Sequence, residues 1–184
     1  MKEKIFIEGG RKLSGSIPIS GAKNSCLTLM PASLLSDRGL TLNNVPNLSD
    51  VDTMKALLES LGCVVHYKKA DKTLDLKTSN KSLFLADYDI VKKMRASILV
   101  LGPLLARLGQ AIVALPGGCA IGARPINLHL MALEALGARF SMANGYVKGK
   151  VGGSLKGCKI EFPSKSVGAT ANTIMAAVLA KGTT

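Results

Sequence analysis

Ala32-Ser-Leu-Leu-Ser-Asp-Arg-Gly39 recurs as Gly102-Pro-Leu-Leu-Ala-Arg-Leu-Gly109, and again as Ala176-Ala-Val-Leu-Ala-Lys-Gly182, with closing glycines 70 and then 73 positions apart. Self-similarity at a fixed spacing signals repeated supersecondary units. Each copy predicts the last turns of an apolar helix stopped by a glycine at C′, the residue that accepts a left-handed backbone there. A second series interleaves with the first: Leu57-Leu-Glu-Ser-Leu-Gly62 matches Ala132-Leu-Glu-Ala-Leu-Gly137, 75 positions later. Both read as amphipathic helix ends leading into strands, Cys63 to Tyr67 and Ala138 to Met142. Ser49, ahead of Asp50 and Asp52, is the expected N-cap of the earlier helix.

The repeat predicts a unit of strand, helix, strand, helix and then a strand pair. Hairpin returns fall within Lys68 to Leu76 and Gly145 to Val151. The units run over about 21–82, 83–152 and a partial 153–184, preceded by strands within 1–20. Ala169 to Ala180 is apolar nearly all round, and such a helix must be buried on all sides. The expected fold class is therefore α/β, an inside-out barrel with helices packed together inside and sheets outside. Its third unit breaks off after one helix.

The chain has 184 residues, 24 Lys and Arg against 12 Asp and Glu, and a formal charge of +12. The cations are spread along the chain, and four Phe, three Tyr and no Trp offer few stacking side chains. That argues against nucleic acid and for small phosphate or carboxylate ligands. The longest apolar run, Ala96 to Ala106, is too short to span a bilayer, and no apolar signal core follows Met1. A cytoplasmic protein with no membrane partner is expected. Cys26, Cys63, Cys119 and Cys158 form no CxxC pair and sit in no His cluster, so reduced thiols, no cofactor and no metal site are expected.

Three places carry chemistry. In Ile19-Ser-Gly-Ala-Lys-Asn-Ser25 a strand ends, Gly21 turns the chain and a helix opens, which sets Lys23 and Asn24 beside backbone N–H groups able to hold an anion. In Pro116-Gly-Gly-Cys-Ala-Ile-Gly-Ala-Arg-Pro-Ile-Asn-Leu-His129 a buried strand, Ala111 to Leu115, gives way to a glycine loop with Cys119 at its tip. Arg124 and a helix starting at Ile126 are surroundings expected to lower a thiol pKa and expose the thiolate. Arg124 offers a planar fork to a carboxylate or phosphate. His129, one turn into that helix, reads as a satisfied helix residue. Arg95 stands at the entrance of a long helix expected over Val91 to Leu108, pointing outward.

Gly21-Ala-Lys-Asn24, Lys93-Met-Arg-Ala-Ser97, Pro116 through His129 and Ser166-Val-Gly-Ala-Thr170 together resemble the enolpyruvyl transferase family. The likeness runs from Ile5 to Thr184 and favours the branch acting on UDP-N-acetylglucosamine over the shikimate branch, which has no cysteine in that loop. It implies transfer of the enolpyruvyl group of phosphoenolpyruvate to the sugar 3-hydroxyl. Lys23 would bind the phosphate of phosphoenolpyruvate, Asn24 would hold the sugar, and Arg95 and Arg124 would line the phosphate and diphosphate region. Cys119 would protonate the enol methylene and is the thiol that fosfomycin alkylates in family members. Arg124, Pro125, Ile126, Asn127 and Leu128, with Ser166, Val167 and Gly168, would cradle the uridine diphosphate. Asn127 stands where an acidic residue is common. The family's proton-accepting Asp and a further Arg come from a second, carboxy-terminal domain, to which residues 1–20 would also belong. Residues 1–184 alone are then expected to be inactive. Two other readings are a non-catalytic nucleotide-sugar-binding module and the shikimate-pathway enzyme.

Overall fold

A computed structural model describes residues 4–80, 82–92, 94–115 and 126–184. The first unit opens with α1 (Lys23–Leu29) and a 3-10 helix (Met30–Leu35). It continues through β1 (Leu40–Leu42), α2 (Ser49–Ser60), β2 (Cys63–Lys68) and β3 (Thr73–Thr78). The second holds β4 (Leu85–Ala86), α3 (Tyr88–Val91), a 3-10 helix (Arg95–Val100), α4 (Leu101–Leu108), β5 (Gln110–Ala114), α5 (Asn127–Ala135), β6 (Ala138–Ala143) and β7 (Tyr146–Val151). The last helix is α6 (Val167–Ala177). Among the described residues no helix is long and apolar enough to cross a membrane.

Local patterns explain most of these elements. Val51, Met54, Leu57, Leu58 and Leu61 fall on one face of α2 and its end, and all are at most 1% exposed. Gly62, at φ +88°, ends it in the left-handed region. Ser49 is not the cap the sequence suggested. It lies inside the first turn, Leu48 holds the cap position without a side-chain bond, and the Ser49 carbonyl accepts from Thr53 Oγ1 at 2.9 Å. The β6–β7 hairpin turns on Asn144 (φ 54°) and Gly145 (φ 77°), the pair that supplies two consecutive left-handed residues.

The two sheets repeat one arrangement. The first has order β1-β3-β2, the second β4-β5-β7-β6, and the shared three-strand part is antiparallel in both. The second adds β4, parallel to β5, with Ala86 opposite Val113. A second trace of the same parallel contact, in the third unit, is the bridge between Lys156 and Lys181. The helices pack on one another and on the sheets: α4 packs on α6, α5 on α6, and α2 and α5 lie against β2 and β6.

Three further expectations change. The helix foreseen from Val91 to Leu108 is α3, then a 3-10 stretch, then α4. Pro103 has no N–H to give, and the Gly102 N–H goes to the Asn172 side chain, so the ladder cannot run through. Gly109 (φ +69°) and Gly182 (φ +94°) are left-handed, but Gly39 is not, because its helix has already ended at Leu35. Residues 4–20, expected as opening strands that belong with a second domain, pair with no described strand and expose Ile5, Phe6, Ile7, Leu13, Ile17 and Ile19 by 85–93%. No described strand lies alongside to accept their hydrogen bonds. Finally, α6 is not buried on every side. Val167, Ile174 and Val178 are 86%, 59% and 65% exposed, since no described element covers that face.

Candidate active site

The α1 end is fixed by Gly21. A Cβ there would collide with the Asn44 carbonyl oxygen, so only glycine lets the chain enter α1 hard against residues 44–46. Lys23, the first helical residue, sets its Nζ 2.8 Å from Asp50 Oδ2 in the first turn of α2. Both side chains are partly exposed, 48% and 35%, so the pair is weak and an incoming dianion can displace it. Asn24 follows on the exposed surface of α1. This helix packs on the 3-10 helix that Arg95 opens.

Arg95 is half-buried, where full exposure was expected, and its charge acts on His129 of α5. Asn172 of α6 is fully buried, and its amide is inserted where the helical ladder is broken. Its Oδ1 accepts from the Gly102 N–H at 2.8 Å, and its Nδ2 donates to the Ile98 carbonyl at 3.2 Å. These are an i and i−4 pair, so the side chain replaces the missing backbone bond. Nδ2 also lies 3.1 Å from His129 Nδ1 in α5. His129 is 7% exposed, and burial, then the Arg95 charge, lower its pKa to about 4. Sequence reasoning missed Asn172. Its only signal was one amide in the otherwise small and apolar run Ala169 to Ala180.

Ser166 caps α6, its hydroxyl accepting from the Ala169 N–H at 3.3 Å. Ser166 and Val167 line a hollow of about 690 Å³ together with Lys165 and Thr170. Gly168 sits against the His129 ring: a Cβ would stand 3.4 Å from both Cε1 and Nε2. Ile126 is buried just ahead of α5, and Asn127 and Leu128 form that helix's first turn. A larger groove of about 870 Å³, walled by Arg139, Lys148, Lys150 and Lys156, lies on β6–β7 and includes none of the expected site residues.

Cys119, Arg124 and Pro125 lie outside the described residues. Cys26 and Cys63 are buried core thiols, and burial pushes both pKa values up. Cys158 is partly buried. Among the described residues no group of three or more His, Cys, Asp or Glu is gathered as metal ligands would be.

α1 and α6 both pack on the 3-10 helix that Arg95 opens, and α5 packs on α6. The family model described as EPSP synthase (3-phosphoshikimate 1-carboxyvinyltransferase) matches residues 7–184. The chain belongs to the EPSP synthase family. Within that family it is 62% identical over 182 residues to a protein of Dinoroseobacter shibae and 59% identical to one of Ruegeria pomeroyi. Both are named UDP-N-acetylglucosamine 1-carboxyvinyltransferase. In each case 99% of this chain is covered but only 43% of the relative, so the chain spans less than half their length. The fold is shared with the enolpyruvyl transferase NikO of Streptomyces tendae, at TM-score 0.76 and 21% identity over 95% of this chain and 40% of that one. It is also shared with an EPSP synthase of Acinetobacter baumannii, at TM-score 0.69 and 16% identity over 91% of this chain and 39% of the other.

Proposed function

We propose that the whole protein transfers the enolpyruvyl group of phosphoenolpyruvate to the 3-hydroxyl of UDP-N-acetylglucosamine, the first committed step of peptidoglycan precursor synthesis. The observation that carries this reading is the identity, along nearly the whole chain, to relatives bearing that enzyme name.

The reaction is an addition followed by an elimination. The Cys119 thiol gives its proton to the methylene carbon of phosphoenolpyruvate, and the neighbouring carbon becomes an oxocarbenium centre. The sugar 3-hydroxyl adds there and loses its proton to a base supplied by the rest of the protein. Loss of a methyl proton then expels inorganic phosphate and restores the double bond. Lys23 leaves Asp50 to hold the phosphate as a point charge, and Arg95 and Arg124 balance the anions around the reacting carbon. Asn24 orients the sugar. Arg124, Pro125, Ile126, Asn127 and Leu128 hold the nucleotide with Ser166, Val167 and Gly168.

Residues 21–184 form part of one domain of an inside-out barrel. Residues 1–20 are opening strands that belong to a second domain, a reading supported by the exposed apolar side chains of residues 4–20. A site walled by two domains loses most of its rate with one wall gone, so residues 1–184 alone do not turn over. The test is phosphate release from phosphoenolpyruvate by the full-length protein, with UDP-N-acetylglucosamine or shikimate 3-phosphate as acceptor. Release only with the shikimate acceptor overturns the substrate assignment, and release by residues 1–184 alone overturns the two-domain requirement.

A further inference from the structure

The Asn172 amide has only one orientation that its backbone neighbours allow. The Gly102 N–H can only donate and the Ile98 carbonyl can only accept, so Oδ1 faces the first and Nδ2 the second. The second Nδ2 hydrogen then points to His129 Nδ1, 3.1 Å away. That nitrogen must be the acceptor, and a neutral imidazole with Nδ1 bare carries its hydrogen on Nε2. Protonating Nδ1 would set two N–H groups against each other inside the core.

The free edge of the ring faces α6. His129 is more than nine-tenths buried, and Nε2 has no hydrogen-bond partner among the described residues. It borders Gly168, the second residue of α6. In that first turn the Ala169 N–H is taken by Ser166 and the Thr170 N–H by the Ser166 carbonyl. The Val167 and Gly168 N–H groups have no intrahelical acceptor.

We propose that Asn172 locks His129 in the Nε2–H tautomer, and that this neutral N–H is a further donor to the diphosphate of the nucleotide sugar, beside the Val167 and Gly168 N–H groups. His129 touches the ligand, and Asn172 is a positioning residue acting through it. The inference rests on the nucleotide lying at Ser166–Gly168, as in the proposed function. A neutral donor suits the place: an imidazolium there would be repelled by Arg95.

Replacing the ring by Gln keeps an amide N–H at the reach of Nε2, whereas Asn reaches only as far as Nδ1. In the full-length protein, His129→Asn is expected to weaken uridine diphosphate binding by about tenfold or more. Uridine binding should stay unchanged, and His129→Gln should keep uridine diphosphate within about threefold of wild type. Nitrogen-15 NMR of the histidine-labelled wild type, with the His129 signal assigned by its absence from His129→Gln or His129→Asn, reads the tautomer without any ligand. An Nδ1–H signal for His129 overturns the proposal even if a variant fails to fold. So does undiminished uridine diphosphate binding by His129→Asn, or an equal loss in both variants, which marks a packing role only. Those results leave the proposed function standing; a wild type that binds no uridine diphosphate removes both.

Discussion

Acidification should destabilise this fold in part through one buried ring, His129. His129 is 7% exposed, accepts from Asn172 at Nδ1, and has a pKa lowered to about 4 from 6.5, by burial first and Arg95 second. Above pH 6.5 the ring is neutral in both folded and unfolded chains and has no effect on the balance. Between 6.5 and 4 the unfolded chain binds a proton that the folded one refuses, so stability falls as pH falls, by about 1.4 kcal/mol per unit. Below 4 both bind it and the loss levels off. Over the whole window it comes to about 3 kcal/mol. Carboxylates contribute their own acid loss, which a comparison with His129→Gln at each pH removes. The assay is urea unfolding of both proteins from pH 7.5 to 4. The stability difference between them should shift by about 3 kcal/mol toward the variant across that range. A difference that stays constant would refute the buried, neutral histidine.

Three further outcomes test the packing. Gly102→Ala drives a methyl into Asn172 and should cost about 3 kcal/mol in thermal or urea unfolding, whereas Gly152→Ala, with open space around it, should change stability by less than about 0.5 kcal/mol. Arg107, 12% exposed, donates to the Leu34 carbonyl at 2.8 Å and pairs with Asp37, which is 58% exposed. Because the exposed carboxylate is screened, Arg107→Ala should cost about 2 kcal/mol and Asp37→Asn under about 1; equal losses would mean the ion pair, not the buried carbonyl bond, joins the two units. Among the thiols, an aromatic disulfide reagent on the native chain should modify Cys119 first, then Cys158, with Cys26 and Cys63 reacting only on unfolding; early loss of Cys63 contradicts its burial and its raised pKa.

Much of the candidate site could be read locally. Gly21 to Asn24 named its turn and helix start because a tight turn needs glycine and the polar residues sit together in sequence. Ser166 to Gly168 were expected as nucleotide contacts, and the structure adds that Ser166 caps α6. The Asn172 contacts were hidden because they cross 70, 74 and 43 positions to Gly102, Ile98 and His129. No window of sequence shows that one amide replaces a backbone bond in another helix. His129 read as a satisfied helix residue; it is satisfied only at Nδ1.

By itself, the sequence determined most of the helices and strands within the repeated units and their order. Two interleaved repeats, glycine stops at Gly62, Gly109 and Gly137, and the strand alternation of Cys63 to Lys68 act over a few residues each, where backbone sterics and periodicity decide. Only the tertiary structure decided that the predicted Val91–Leu108 helix breaks, that Arg95 is half-buried, and which apolar faces stay open at residues 4–20 and on α6. Those depend on what packs alongside, and neighbours in space are chosen by the whole chain rather than by the segment they touch.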